Sequence, residues 1–312
     1  MEINQSNLSA LFTGFNTTFT QAFGNVQPTY EMVASVEPSS TAQNIYAWLG
    51  NSTSFREWIG DRQFLNLQAH NYTLVNKPYE SSQEVDREVI EDDQYGVYSK
   101  AIAMMGENAK VHPDTLIYPG LAYGFTGLCY DGQPFFSANH LVGNGLGGTT
   151  YLSNIVPGSG NPAWYLLCTK KIVKPMIWQL RKPYEFTALF APSDPNVFLR
   201  KKFQYGAYGR GRAGYGLWQL AIGSQAALTP ANYELAITMM KSMTNDNGVP
   251  MNVIPDLLVV PPALEATAKR VIKMNFQFYP SLSGGTEFGG DNPNVGTAEL
   301  LVSPYLNMAY TG

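Results

Sequence analysis

YAWLGNSTSFREWIGDRQFLNLQAHNYTLVNKPYESSQEVDREVIEDDQYGVY, residues 46–98, is the stretch whose reading decides the fold. Its strand-like patches are Phe64, Leu65 and Leu67, then Tyr72, Leu74 and Val75, set among Asn, Gln, Ser and charged residues. That is too little apolar surface for a core of its own. A long two-stranded arm of this kind is marginal alone in water. A neighbouring subunit would supply the missing contacts, so the stretch points to an assembling protein rather than a free enzyme.

Composition agrees. At 312 residues the chain has room for one large domain or two modest ones. Hydrophobic residues make up 45% and permit a real core, while charged residues make up only 14%, against about a quarter in an ordinary soluble chain. A subunit that covers its surface with copies of itself needs less charge than a monomer. The 19 Tyr and 16 Phe suit an interface or an aromatic-rich core, and both stay open. A net charge of −4 speaks against a nucleic-acid binder. The first basic residue is Arg56, so no basic DNA-binding tail precedes it. Cys129 and Cys168 are the only cysteines and have neither metal-ligand spacing nor a disulfide framework; they read as small buried residues of a reducing compartment. The start MEINQSNLSALF lacks the positive region and apolar run of a signal peptide. No stretch approaches the roughly 18 apolar residues of a membrane span.

Leu8, Leu11, Phe12, Phe15, Phe19 and Phe23 recur at helical spacing, with an uncharged Asn, Thr and Gln face opposite. Such a helix docks on its own body or on a neighbour; its terminal place, before a flexible Gly24–Pro28 exit, favours the neighbour. After the arm come Glu84, Asp86, Glu88, Glu91, Asp92 and Asp93 against one base, Arg87. The run is a solvated acidic face by default, but Asp92 and Asp93 precede Tyr95, Tyr98, Ile102, Met105 and Ala109 and are placed to cap a long helix. His112-Pro113-Asp114 interrupts that helix and starts a second segment; Pro119-Gly120 interrupts again. Residues 143–160 read as an exposed Gly- and Ser-rich loop. Strands follow from Trp164 to Ile222: Met176, Trp178 and Leu180 alternate with Ile177, Gln179 and Arg181, then Phe186, Ala188 and Phe190 keep the rhythm. Pro192 to Pro195 reads as a turn, with Val197–Phe203 and Gly216–Ile222 as further strands. Thr229-Pro230 starts a helix carrying Ala236, Met239, Met240 and Met243, which Asn245 to Gly248 ends. Asp256–Val260 is a buried strand. Pro261-Pro262 stops it and opens a helix with Leu264, Ala268, Val271 and Ile272 on one face, and Glu299–Val302 is the last strand. The C-terminal third is thus a small α/β layer domain, and the chain as a whole is α+β.

Catalytic motifs are weak. Gly143, Gly145 and Gly148 have GxGxxG spacing, but Thr149-Thr150-Tyr151 opens no helix, so dinucleotide binding is rejected. Cys129, Asp131 and His140 have the chemistry of a nucleophile, an orienting acid and a base, yet nothing in the sequence brings them together, and a loop of ordinary side chains is expected. His70, His112 and His140 each stand alone. Arg210 and Arg212 in GAYGRGRAGYG form the one basic spot with aromatic neighbours; contact with nucleic acid or an acidic partner is the lesser reading, and they read as surface or interface residues of a Gly-rich turn. No cofactor, metal site or enzyme activity is expected.

Several words carry a resemblance: Tyr46-Ala-Trp-Leu-Gly50, Arg56-Glu-Trp-Ile-Gly-Asp-Arg62, Glu91-Asp-Asp-Gln-Tyr-Gly-Val-Tyr98, Leu128-Cys-Tyr-Asp-Gly-Gln133, Ala163-Trp-Tyr-Leu-Leu167, Val173-Lys-Pro175, Asp194-Pro-Asn-Val-Phe198, Ala213-Gly-Tyr-Gly-Leu-Trp-Gln219, Leu257-Leu-Val-Val-Pro-Pro-Ala-Leu264 and Val302-Ser-Pro-Tyr-Leu306. With these words the chain resembles the major head subunit of Mu-like phages. The order of its elements is similar to the HK97-type capsid fold. The resemblance implies an N-terminal arm over 1–45, an E-loop over 46–85, a peripheral domain with spine helix and strands over 86–225, and an axial domain over 226–312. Within these, Arg56 to Lys77 would lie over the adjacent subunit and 92 to about 127 would be the spine. It implies no catalysis, and a shell of hexamers and pentamers that encloses DNA without reading its sequence. Scaffold, portal, protease and decoration proteins would come from other genes. It further implies assembly in the bacterial cytoplasm, a place in the virion and no membrane partner. The interface residues expected are Leu11, Phe12, Phe15, Phe19, Arg56, Glu57, Trp58, Arg62, Lys77, Glu84 and Asp86, with Arg56, Arg62 and Lys77 meeting Glu84, Asp86 and Glu88 of a neighbour. A phage tail or tube protein is the alternative, against which the helix after Asp92 argues.

Overall fold

The computed structural model describes residues 5–47, 49, 72–91, 95–143, 148–191, 193–245, 247–279 and 288–311. The chain opens with α1 (Gln5–Asn25). Its Thr13, Thr17, Thr18 and Thr20 hydroxyls each donate to the carbonyl one turn back, so these side chains find partners within the helix. A single turn, α2 (Tyr30–Val33), leads into β1 (Ala34–Pro38), β2 (Gln43–Ile45), β3 (Thr73–Val75) and β4 (Lys77–Asp86). Next come α3 (Arg87–Glu91), α4 (Tyr95–Val111) and α5 (Asp114–Tyr123), then β5 (His140–Gly143), β6 (Thr149–Leu152), β7 (Ile155–Val156), β8 (Trp164–Leu167) and β9 (Met176–Leu189). The remainder is α6 (Pro195–Arg200), β10 (Lys202–Tyr215), β11 (Ala221–Ser224), α7 (Pro230–Lys241), β12 (Leu257–Val260), α8 (Glu265–Lys273), β13 (Phe276–Tyr279), β14 (Phe288–Asp291) and β15 (Glu299–Val302).

Two main sheets organise these elements. The long one has the order β1-β9-β10-β4, with β1 parallel to β9 and the other neighbours antiparallel. Phe203, Tyr205 and Ala207 of β10 turn their side chains under α1 and α4, into a core with Leu8, Phe12, Phe15, Phe19, Ile102 and Met105. Gly106 makes that docking close: a Cβ there would meet the Phe19 carbonyl oxygen at 2.6 Å. The compact sheet has the order β15-β12-β8-β11-β7. Its β8, β11 and β12 are buried at every residue, the pattern of strands covered on both faces. Asp114, itself buried, ties the start of α5 to the chain before β1 by accepting the Thr29 and Tyr30 amides at 3.1 and 2.6 Å.

The sequence reading holds for the helix before His112, the restart at Asp114, the Thr229-Pro230 start, the Asp256–Val260 strand and the Glu299–Val302 strand. Thr229 caps α7 by accepting the Asn232 amide at 3.2 Å. Several expectations are corrected. Pro119-Gly120 does not break α5. Leu116, Ile117, Tyr118 and Leu121 are all buried around it, and their packing outweighs the one hydrogen bond that proline lacks. Val197–Phe203 is not a strand. Asp194-Pro195 starts α6, which ends at Lys201 in a left-handed conformation with φ 54°. GAYGRGRAGYG is no turn but most of β10; register shifts flank Arg210, and a Cβ on Gly211 would meet Trp178 Cζ2 at 2.7 Å. The glycines mark close approach of neighbouring strands and rings. Within 143–160, β5 pairs with β6 and β7 joins the compact sheet. The start of β9 does not alternate, since Met176, Ile177, Trp178 and Gln179 are all buried. Strands expected as one layer over 164–222 divide between the two sheets. β1 and β4 join the long sheet from the segments 1–45 and 46–85, so sheet membership does not follow those segment boundaries.

Candidate functional site

For a chain expected to assemble, the site is a surface. One face of the β9–β10 hairpin is covered by α1 and α4, and the other is open. Along β9 the exposed positions are Pro183, Glu185, Thr187 and Leu189, alternating with half-buried Tyr184, Phe186 and Ala188. Glu80, Ser82 and Glu84 of β4 and Gln204, Gly206 and Tyr208 of β10 line a trough with Thr187 and Leu189. Glu84 stands opposite Gln204 in register. It accepts Lys202 Nζ at 2.9 Å and Gln204 Nε2 at 2.6 Å, and the Lys202 hydrogen bond holds its carboxyl below the ordinary range. At the hairpin tip, α6 presents Phe198 79% exposed and Leu199 74% exposed. Both are large apolar side chains, adjacent in sequence and open to solvent.

The expected interface residues fall in three groups. Phe12, Phe15 and Phe19 are 4%, 2% and 3% exposed inside the chain's own core, and Phe12 stacks on Phe190 with ring centroids 4.3 Å apart. The helix expected on a neighbour therefore docks on its own body, because the hairpin and α4 offer a matching apolar groove; Leu11 is half-buried against the same cluster. Lys77, Glu84 and Asp86 lie along β4, where Glu84 is already held by its own chain and Lys201 Nζ reaches Glu88 at 3.3 Å. Arg56, Glu57, Trp58 and Arg62 lie outside the described residues, as do Phe64, Leu65, Leu67, Asp92 and Asp93.

Cys129, Asp131 and His140, expected apart, meet. The Cys129 thiol donates to Asp131 Oδ1 at 2.9 Å, and His140 Nδ1 lies 2.6 Å from Asp131 Oδ2. Burial would raise the Asp131 carboxyl, but its hydrogen bonds with His140 and Cys129 outweigh burial and hold it below its usual value. The carboxylate thus accepts from both neighbours. His140 is fully buried, stacked on Trp218 at 3.9 Å between centroids and 5° between planes. The order is wrong for nucleophilic catalysis, where the base sits between nucleophile and acid. Burial first, and then the charge of Asp131, push the thiol far up and away from thiolate.

A family model, the Mu-like prophage major head subunit gpT, matches residues 8–306. The chain belongs to the Mu-like prophage major head subunit family. It is 36% identical over 305 residues to the Mu-like prophage FluMu major head subunit of Haemophilus influenzae, covering 96% of this chain and 97% of that one. To the major capsid protein of Escherichia phage Mu it is 35% identical over 312 residues, covering 98% and 100%. Its structure is similar to a subunit in the procapsid of bacteriophage JBD30, with a TM-score of 0.83 at 38% identity over 97% of this chain and 100% of that one. The α+β capsid fold expected of a major head subunit is the one observed. Among the described residues no helix is long and apolar enough to cross a membrane. Sequence reasoning missed the exposed Phe198-Leu199 tip of this head subunit. The cap-then-proline signal read correctly at Thr229-Pro230 recurs at Asp194-Pro195 and would have revealed α6.

Proposed function

We propose that this chain is the repeating unit of an icosahedral phage head, closing with copies of itself as hexamers and pentamers around packaged DNA that it does not read. The observation that carries the reading is the likeness, over nearly the whole chain, to a subunit of a phage procapsid. The physical features support it. The chain is poor in charge, leaves one face of a long hairpin open and exposes Phe198 and Leu199 at its tip. Shells hold through many weak, symmetric contacts whose avidity grows with closure. In this reading the stretch from Arg56 to Lys77 lies over the adjacent subunit, with Arg56, Glu57, Trp58, Arg62 and Lys77 among the contact residues. Because Glu84 is engaged by Lys202 and Gln204 of its own chain, an incoming arginine shares that carboxylate and sets register more than strength. Leu11 and the outer edge of α1 are the part of that helix left for a neighbour. Scaffold, portal and decoration proteins are partners supplied by other genes. The protein works in the virion after assembly in the host cytoplasm, and it is not an enzyme.

Negative-stain electron microscopy of the purified protein, expressed with and without its neighbouring phage genes, tests this. Closed polyhedral shells or rings of five and six are expected; monomers in both preparations would sink it. Normal shells from a double Arg56→Glu, Arg62→Glu variant would remove the arm contact while leaving the shell reading intact.

A further inference from the structure

The meeting of Cys129, Asp131 and His140 has no use in shell assembly as described above, yet it is built from rigid parts. Cys129 and Asp131 sit in a tight turn: the Cys129 amide donates to the Gln133 carbonyl at 2.8 Å, and the Gln133 amide to Asp131 Oδ1 at 3.0 Å. A bridge between Leu128 and Pro134 closes that turn. His140 starts β5, and its ring is clamped by Trp218. A thiol sulfur, a carboxylate oxygen and a ring nitrogen from these three residues all lie within 4.8 Å of one another. Donors around a tetrahedral zinc ion, at about 2.0–2.3 Å from the metal, stand roughly 3.5 Å apart. Closing the trio onto an ion therefore needs only small side-chain movements.

The Asp131 side chain keeps 15% of its surface in solvent, which leaves a route for an ion and a place for water as a fourth ligand.

We propose that Cys129, Asp131 and His140 form a zinc site that pins the 129–133 turn to β5. Thiolate, imidazole and carboxylate together suit Zn²⁺; calcium and magnesium prefer oxygen donors alone. Binding places the ion among the three donors, releases the thiol proton to solvent and leaves one proton on the ring nitrogen that does not bind. The site is independent of the shell reading, since it lies within one chain.

The test uses the full-length, untagged protein, stripped with chelator and titrated with Co²⁺ as a spectroscopic stand-in and then with Zn²⁺. One equivalent of Co²⁺ is expected to give a thiolate charge-transfer band that Zn²⁺ abolishes. Cys129→Ser loses the band, Asp131→Asn binds more than about tenfold more weakly, and Cys168→Ser behaves as wild type. A wild-type protein with no thiolate band at stoichiometric Co²⁺ would overturn the proposal without recourse to any variant. A band that survives Cys129→Ser and vanishes in Cys168→Ser would overturn it equally, and the trio would then be a hydrogen-bonded cluster only.

Discussion

β8, β11 and β12 are four-residue strands with every residue buried, whereas β9 and β10 run for 14 residues each and over most of their length bury one face only. The compact sheet is covered on both sides, in a core that also takes in the inner ends of β9 and β10. The hairpin is covered by α1 and α4 on one face and offers polar residues, plus the apolar α6 tip, on the other. In the proposed reading, stability and assembly fall largely to different parts of one chain. A substitution in the compact sheet is expected to unfold the subunit, and one on the open hairpin to spare the fold and spoil the shell.

The largest effect belongs to the compact sheet. Trp164 is fully buried, and its indole Nε1 donates to the Ala226 carbonyl at 2.9 Å. Trp164→Ala is expected to cost about 3–5 kcal/mol of subunit stability in urea denaturation. A loss under about 1 kcal/mol would mean that two-sided burial is not what holds this half. Phe12→Ala comes next, at about 3 kcal/mol, because its ring fills the groove against Phe190 and Phe203. Here the expected response is local: hydrogen exchange in α1 rises while β12 and β15 keep their protection. Equal loss in both regions would erase the division between them. Phe198→Ser combined with Leu199→Ser should leave stability within about 0.5 kcal/mol and sharply reduce the yield of shells. Normal shells from that variant would remove the hairpin tip from the assembly surface.

The same contrast governs how much could be read without coordinates. The compact region announced itself: Leu257–Val260 is a continuous apolar run stopped by prolines, Thr229-Pro230 is a cap followed by a helical stripe, and Glu299–Val302 came out at its true bounds. Which strands share that sheet did not, because β8 pairs with β12 across some ninety residues of chain, and local pattern carries no pairing partner. The hairpin was read worse. Glycines that let rings and backbones approach look like turn residues in one dimension, so β10 was taken for a turn. The stripe of α1 told that the helix docks, not on what; the answer lay in Gly106 and the underside of β10, both distant in sequence. The meeting of Cys129 and Asp131 with His140 was hidden because a tight turn and a strand start, each ordinary alone, become neighbours only when Trp218 stacks beneath the imidazole.

The smallest expected effect is also the finest probe of the open face. Glu84 has its carboxyl held below the ordinary value by Lys202 and Gln204, and all three side chains remain in reach of solvent. A carboxyl whose folded value is depressed adds stability above the ordinary carboxylate range and loses that addition as the pH falls through the depressed value. Wild type and Glu84→Gln should therefore differ slightly at neutral pH, in favour of wild type, and converge in acid. Raising the salt at neutral pH should close the same gap, since exposed charges are screened. A gap that persists in acid and in salt would assign the role of Glu84 to strand packing. The trough it lines would then be part of the folded core's support rather than a charged surface left open for another subunit.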